Sequence, residues 1–203
     1  MSNQTPLERY QAALATGDFR EDAVQLAAVT YMDNLYHEII KSQDSSGGGW
    51  FSSLFKSKPV MPKGLYMWGG VGRGKTWMMD MFYESLPIKR KMRMHFHHFM
   101  QRVQRELVAL QGQADPLKKV ADIIHQEAVV ICFDEFFVSN VSDAMILGDL
   151  FSMLFDRGIT LVATSNIEPS GLYKNGIHRD RFLPAIAQVE NHTTVMTIDA
   201  GID

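Results

Sequence analysis

Residues 69–76 form a complete G-x-x-x-x-G-K-[ST] phosphate-binding loop, and this octet restricts the possible folds more than any other stretch. Its members are Gly69, Gly70, Val71, Gly72, Arg73, Gly74, Lys75 and Thr76. The glycines permit backbone turns in which consecutive N–H groups point into one concavity that accepts a phosphate. Such a loop needs a strand before it and a helix after it, and the runs 65–68 and 77–83 supply both. An ordinary glycine-rich turn is the alternative, and this context disfavours it.

The loop predicts the chemistry of its ligand. We expect Lys75 to reach the β- and γ-phosphates of a bound nucleotide and Thr76 to offer its hydroxyl to Mg²⁺. The positive dipole end of a helix that starts near Thr76 would strengthen the binding of the anion.

The composition is that of a globular protein. A chain of 203 residues suits one α/β domain with a short appendage, and 46% hydrophobic with 21% charged residues fits a packed core. The net charge of -3 disfavours a general role in coating nucleic acid. The single cysteine, Cys132, cannot form an internal disulfide, which fits a reducing compartment, although we interpret it first as a buried small hydrophobe. No apolar stretch reaches the length of a membrane span, so we expect a cytoplasmic protein.

The N-terminal part predicts two helices, over residues 5–16 and 20–41. In the second helix an apolar stripe recurs at helical spacing, formed by Val24, Ala28, Tyr31, Leu35 and Ile39. Gln25, near its start, could reach an adenine edge, but we favour an ordinary surface glutamine. We assign residues 1–45 to an N-terminal helical segment.

Residues 46–63 have the composition of a linker whose second half is aromatic. Trp50, Phe51, Leu54 and Phe55 predict a short amphipathic helix beside two lysines. It could dock on a partner or make a peripheral contact with an anionic membrane. We favour the alternative that it folds back on the core of the same domain.

From residue 64 onward, strand-like and helix-like runs alternate to residue 203. Five strands are predicted, over residues 64–68, 91–96, 129–133, 159–164 and 194–198. Two of these runs lack polar alternation, as is typical of strands covered on both faces. The pattern predicts an α/β fold with a doubly wound parallel five-stranded sheet.

Two acids follow the buried strand 129–133. Asp134 lies where the carboxyl end of a parallel strand meets ligands in open α/β sheets, and it fits a Mg²⁺ site. Glu135 would point elsewhere and could polarise a water for attack on the γ-phosphate. A solvated turn that happens to carry two acids is the alternative.

Ser165 and Asn166 follow the strand-like run 159–164, again at the predicted carboxyl edge of the sheet. The neutral amide of Asn166 could hold the attacking water or a γ-phosphate oxygen without competing for the metal. Taken alone, the tripeptide Thr164-Ser165-Asn166 is also typical of an ordinary turn.

Arg179 and Arg181 alternate just before a predicted helix. A permanently charged guanidinium there could project toward the γ-phosphate of a neighbouring subunit. An ion pair within the chain, with Asp180 or Glu190, is an equally good interpretation.

Three histidines, His95, His97 and His98, invite a zinc hypothesis, which is weak because no cysteine or second histidine pair at metal spacing accompanies them. We expect no structural metal. We predict instead that His97 or His98 lies near the nucleotide and that His95 packs.

With these motifs in register, residues 64–203 resemble the core of an AAA+ ATPase, a class of P-loop NTPase. The similarity is closest to the AFG-type ATPase family. It rests on six strings, at residues 64–76, 95–100, 132–137, 143–147, 158–166 and 181–186.

This resemblance implies a Mg-ATP hydrolase that associates with the division-ring protein FtsZ during cell division and has mitochondrial relatives in protein quality control. It matches Gly69 to Thr76 to the Walker A loop, Asp134 and Glu135 to Walker B, and Asn166 to sensor 1. Arg181, or less securely Arg179, matches the arginine finger, which implies a homo-oligomer. Family members continue into a helical lid with a sensor 2 arginine, which we expect to be absent from these 203 residues.

Two functions follow as hypotheses. The first is ATP hydrolysis coupled to remodelling or positioning a protein partner. The second is a nucleotide-gated interaction module in which ATP binding, and not its hydrolysis, controls the partner. A small-molecule phosphotransferase is disfavoured because the acids and Asn166 suit a water nucleophile.

Overall fold

Five parallel strands form the centre of the computed structural model, which describes residues 4–17, 20–46, 62–72 and 74–199. The strands are β1 (Gly64–Trp68), β2 (Lys91–His95), β3 (Val130–Asp134), β4 (Thr160–Ser165) and β5 (Thr193–Thr197). They are hydrogen-bonded in the order β2-β3-β4-β1-β5. The predicted doubly wound parallel sheet is confirmed. Predictions for residues 50–55 and Arg73 lie outside the described residues.

Seven α-helices cover the two faces of the sheet in the described part of the chain. They are α1 (Pro6–Ala15), α2 (Ala23–Ser46), α3 (Lys75–Ser85), α4 (Phe96–Ala109), α5 (Pro116–Glu127), α6 (Val141–Asp156) and α7 (Arg179–His192). A 3-10 turn, Pro169–Gly171, precedes α7. Local sequence explains several starts: Thr5 and Glu8 form a capping box on α1, and the Asn140 side chain accepts from the Ser142 N–H at α6.

Neighbouring residues of each strand point to opposite faces and build two hydrophobic clusters. Tyr66, Phe133 and Leu161 pack with helices α4 to α7 on one face. Leu65, Cys132 and Val162 pack with α1, α2 and α3 on the other. Because both faces are covered, the central strands need no polar alternation, which explains their continuous apolar runs.

The apolar stripe of α2 is buried, with its centre shifted from the prediction. Ala28, Leu35 and Ile39 are buried as expected, and Met32 joins them. Tyr31 is only half-buried, and its hydroxyl donates to the Lys63 carbonyl oxygen at 2.8 Å. Within the described ranges, no helix combines the length and the apolar character that crossing a membrane requires.

The parallel arrangement places all strand carboxyl ends at one edge of the sheet. The phosphate loop follows β1 there, between β4 and β5 in the sheet order. Asp134 ends β3, the neighbour of β4, and Ser165 ends β4 itself. The fold therefore brings the sequence-distant motifs to a common edge.

Candidate functional site

The loop between β1 and α3 has the backbone of an anion cradle. Gly69, Gly72 and Gly74 have φ angles of 142°, 80° and 76°, a region that side-chain-bearing residues rarely adopt. Gly74 is the N-cap of α3, so the first turn of that helix opens directly from the loop. The exposed N–H groups and dipole of a helix N-terminus attract phosphate.

Charged side chains already contact the backbone of this loop at two places. The ammonium of Lys75, a residue only 7% exposed, donates to the carbonyl oxygens of Gly69 and Gly70 at 2.7 and 2.6 Å. The Gly70 N–H donates to a carboxylate oxygen of Asp199 at 2.7 Å. A loop amide that holds a carboxylate oxygen can equally hold a phosphate oxygen, so the residues present fit an anionic ligand.

Thr76 and Asp134 offer a pair of hard oxygen donors beside this cradle. The Thr76 hydroxyl donates to Asp134 Oδ1 at 3.0 Å. Among the described residues no group of three or more His, Cys, Asp or Glu side chains is placed to hold a metal. One hydroxyl and one carboxylate nevertheless fit Mg²⁺, which commonly takes one or two protein ligands and completes its shell with phosphate oxygens and water.

The carboxylate of Asp134 is buried and fully engaged. Its Oδ1 accepts from the hydroxyls of Thr76 and Thr164, and its Oδ2 accepts from Arg93 at 3.2 Å. Burial raises the pKa of Asp134, but the hydrogen bonds from Thr164 and Thr76 and the charge of Arg93 outweigh it, so the net pKa is lowered. Asp134 is therefore ionised at neutral pH, as a metal ligand must be.

Glu135 follows with a different environment. Its side chain is 78% exposed, and its backbone lies in the left-handed region with φ of 52°. Its N–H donates to the Thr164 hydroxyl at 3.2 Å. The turn sends Glu135 toward solvent while Asp134 stays buried, so the two acids have separate surroundings.

One cleft contains most of the predicted site residues. Asn166, exposed at the end of β4, faces this cleft together with the loop and both acids. The residues that line it are Val71, Gly72, Gly74, Lys75, Thr76, Trp77, Asp134, Glu135, Thr164, Ser165 and Asn166.

The two arginines do not line this cleft. Arg179 is the first residue of α7 and donates from Nη2 to the Ser170 carbonyl oxygen at 2.6 Å, whereas Arg181 is exposed. Within the described ranges, neither forms an ion pair with Asp180 or Glu190. A carbonyl contact for Arg179 replaces the ion pair that the sequence suggested.

The prediction for the histidines is wrong. His95, expected to pack, is 44% exposed at the end of β2, with Nδ1 4.0 Å from Asp134 Oδ2 and 3.9 Å from Glu135 Oε2. His97 and His98, expected near the nucleotide, are exposed in the first turn of α4. The strand ends one residue earlier than predicted, at His95 and not at residue 96, so the residue at its carboxyl tip changes.

The preferred interpretation of Gln25 as a surface residue is also wrong. It is half-buried, and its amide nitrogen would lie 3.1 Å from a Cβ on Gly74. The start of α2 therefore contacts the phosphate loop.

Sequence reasoning missed three contributors. Arg93 links Asp134 to Asp80 of α3, Thr164 contacts both acids, and Asp199 reaches the loop amide. Arg93 and Asp199 each lie in an ordinary strand or strand-end pattern. For Thr164 a signal existed, because it precedes Ser165 and Asn166 at a strand end.

The sequence matches one ATPase family and several curated proteins over nearly its whole length. The family model for AFG1-like ATPase matches residues 4–203. "Cell division protein ZapE" of Escherichia coli strain K12 is 52% identical, over 100% of this chain and 56% of that protein. A protein of Schizosaccharomyces pombe is 37% identical, over 99% of this chain and 51% of its own length. The chain thus spans about half the length of these curated relatives.

A solved structure, "Crystal Structure of the DnaI", shares the fold. Its TM-score is 0.61 at 14% sequence identity, and the match covers 90% of this chain and 88% of that one. At this identity the likeness supports the architecture alone.

Proposed function

Since the chain belongs to the AFG1-like ATPase family, we propose that it binds Mg-ATP at the carboxyl edge of its sheet and hydrolyses it by attack of water. The observation that carries this proposal is the 3.0 Å contact between Thr76 and Asp134 beside the phosphate loop. It joins the two expected metal ligands although they are 58 residues apart in sequence.

The binding half of the site lies in one chain. The N–H groups of residues 69–76 hold phosphate oxygens, and Lys75 leaves the loop carbonyls to contact the β- and γ-phosphates. Thr76 and Asp134 are the residues that would hold Mg²⁺, directly or through water. When bound, Mg²⁺ neutralises negative charge on the phosphate oxygens.

Glu135 and Asn166 act on the water. Both face the cleft that holds Lys75. Glu135 accepts a hydrogen bond from the water and takes its proton as the water oxygen bonds to the γ-phosphorus and the bond from that phosphorus to the β,γ-bridging oxygen breaks, so that ADP and phosphate leave. The Asn166 amide donates to a γ-phosphate oxygen or orients the same water.

Arg181, with Arg179 as the second candidate, serves a neighbouring subunit. Both arginines belong to the first turn of α7 and lie outside the cleft of their own chain. A guanidinium supplied across an interface stabilises charge on the transferring group. This assignment makes a homo-oligomer the hydrolysing species.

In this proposal, ATP hydrolysis drives a change in a protein partner. The relative named "Cell division protein ZapE" suggests a division role. We propose that hydrolysis remodels or positions a division-ring protein, with FtsZ as the first candidate to test in cell division.

Phosphate release from Mg-ATP by the purified chain tests this proposal. Wild type should release phosphate without any added acceptor, and Lys75→Ala should reduce the rate at least about 100-fold because it removes the cation that contacts the transferring phosphate. Arg105→Ala, an exposed arginine of α4, is the matched control and should keep the wild-type rate. Equal release by wild type and Lys75→Ala would contradict the proposal.

A nucleotide-gated interaction module is the second candidate. It is favoured because the groups proposed to bind the nucleotide lie in one cleft, whereas both arginines proposed to assist its hydrolysis lie outside that cleft. Glu135→Gln should bind ATP without cleaving it, while Lys75→Ala should bind poorly. If Glu135→Gln retains full partner function and Lys75→Ala loses it, the module interpretation replaces the hydrolytic one.

A further inference from the structure

One buried hydroxyl contacts both candidate acids. Thr164, in β4, is 2% exposed. Its Oγ1 donates to Asp134 Oδ1 at 2.7 Å and accepts from the Glu135 N–H at 3.2 Å. A hydroxyl offers one donor and two acceptor sites, and here the donor acts on one acid while an acceptor acts on the other.

The backbone of Thr164 fixes the next residue of the same turn. The Phe136 N–H donates to the Thr164 carbonyl oxygen at 2.7 Å. Three consecutive residues that begin with the last residue of β3, Asp134, Glu135 and Phe136, are therefore hydrogen-bonded to a single residue of β4. This pairing explains how Glu135 keeps a backbone conformation with φ of 52°.

Asn166 lies two residues after Thr164, directly beyond the end of β4. Between them, Ser165 donates from Oγ to the Phe136 carbonyl oxygen at 2.8 Å, which ties β4 to this turn a second time. Thr164 and Ser165 thus link the strand end that carries Asn166 to the turn that carries both acids.

We propose that Thr164 is a positioning residue that sets Asp134 for the metal and Glu135 for the attacking water. The inference rests on the proposed function. Thr164 need not touch nucleotide or metal; it acts through the two acids. Partners behind a metal ligand typically change metal affinity or activity about 10- to 100-fold when they are removed.

Thr164→Val is the discriminating variant because valine keeps the shape and removes the hydroxyl. It leaves the Glu135 N–H without its acceptor and takes one donor from Asp134 Oδ1. Thr164→Ser keeps a hydroxyl and is the rescue variant. Thr164→Ala makes the same comparison without the branched side chain if the valine variant does not fold.

The strand contains its own control. Thr160, also 2% exposed in β4, has an Oγ1 with no hydrogen-bond partner in the described part of the chain. Thr160→Val therefore makes the same chemical change on the same strand, away from the acids. It should leave nucleotide binding and hydrolysis as in wild type.

The experiment measures the affinity of a fluorescent ATP analogue with Mg²⁺ and with EDTA, and then kcat and KM for ATP. For Thr164→Val we expect an affinity with Mg²⁺ about 10-fold weaker, an affinity in EDTA within about twofold of wild type, and kcat about 10- to 100-fold lower. Thr164→Ser should recover most of each loss.

Three results would overturn the inference: Thr164→Val matching wild type, an equal loss with and without Mg²⁺, or no recovery in Thr164→Ser. The equal loss would mean that the variant damages the loop and not the placement of the acids. A wild-type chain that shows no Mg²⁺-dependent ATP binding would instead remove the proposed function, so the two failures are distinguishable.

Discussion

At Glu135 the backbone carries strain that belongs to the site. Its φ of 52° is a left-handed conformation, which costs a residue with a Cβ about 1–2 kcal/mol. Hydrogen bonds to Thr164 from Glu135 itself and from Phe136 hold the turn in place. The left-handed conformation separates the two acids, because it turns Glu135 toward solvent directly after the buried Asp134.

Glycine at this position should relieve the strain. We expect Glu135→Gly to be more stable than Glu135→Ala by about 1 kcal/mol, because glycine adopts positive φ without steric cost. Chemical denaturation of both variants measures the difference, and both should fail to hydrolyse ATP. An alanine variant as stable as the glycine variant would show that the backbone is not strained in solution.

Cys132 should be unreactive in the folded protein. It is 0% exposed, and burial raises the pKa of its thiol from 9.0 to about 12. Because only the thiolate reacts, alkylation at pH 9 should follow unfolding. The unfolded chain ionises near pH 9 while the folded chain stays protonated, so this group lowers stability as pH rises above 9. Rapid labelling in native buffer would contradict the burial.

The residues that the sequence identified and those it missed differ in one physical respect. Asp134 follows an apolar strand and the loop glycines have fixed spacing, so local pattern revealed both. Arg93 reaches Asp134 across 41 positions, and Asp199 reaches Gly70 across 129. Such contacts depend on strand order, which single-sequence patterns do not contain. The placement of His95 failed because one residue of error in a strand end changes which side chain reaches the edge.

At the scale of elements, strand positions could be predicted because apolar runs end in glycine or polar residues. The β3 and β4 predictions differ from the structure by one residue at each end. The sheet order could not be derived from these runs, because strands of similar composition pair equally well in the absence of tertiary contacts.

At Gly64 the backbone of β1 lies close against the backbone of β4. A Cβ there would lie 1.8 Å from the Leu161 carbonyl oxygen. We expect Gly64→Ala to destabilise the fold by about 3 kcal/mol or more, since backbone in a central sheet cannot give way. Thermal or urea unfolding measures the loss.

Gly112→Ala is the control for that substitution. Gly112 has φ of 82°, and an added Cβ there would meet no atom of the described, non-adjacent residues within 4 Å. Its cost should therefore be only that of backbone strain, about 1 kcal/mol. Equal destabilisation by the two variants would mean that strand contact is not the cause at Gly64.

At the scale of the whole molecule, the N-terminal helices share a core with the sheet. Met32 of α2 and Phe82 of α3 are both fully buried in the cluster that contains Leu65 of β1. The assignment of residues 1–45 to a separate segment stays a prediction about domain organisation. The buried cluster means that unfolding α2 would expose the face of the sheet behind the phosphate loop.

Met32→Ala should therefore destabilise more than a local helix. We expect a loss of about 2–5 kcal/mol, measured by urea unfolding as one transition. Asn34→Ala, an exposed position on the same helix, should change stability by less than about 0.5 kcal/mol. A separate early transition for the Met32 variant would show that the N-terminal helices unfold on their own.

A shared site would change how the rate of ATP hydrolysis depends on protein concentration. If Arg181 acts in the site of a neighbouring subunit, the rate of phosphate release should rise more steeply than protein concentration. Added Arg181→Ala protein should then inhibit the wild-type protein by joining the same oligomers. Arg105→Ala, added in the same proportion, should not. A rate strictly proportional to enzyme would place the whole site in one chain.

The central claim is that Asp134 and the phosphate loop form one Mg-ATP site, and the Mg²⁺ dependence of ATP binding tests it most directly. Wild type should bind a fluorescent ATP analogue about 10-fold or more tightly with Mg²⁺ than with EDTA, and Asp134→Asn should lose this gain while its binding in EDTA persists. The control Asp156→Asn, at an exposed position ending α6, should respond like wild type. An Asp134→Asn variant with the full Mg²⁺ response would contradict the claim.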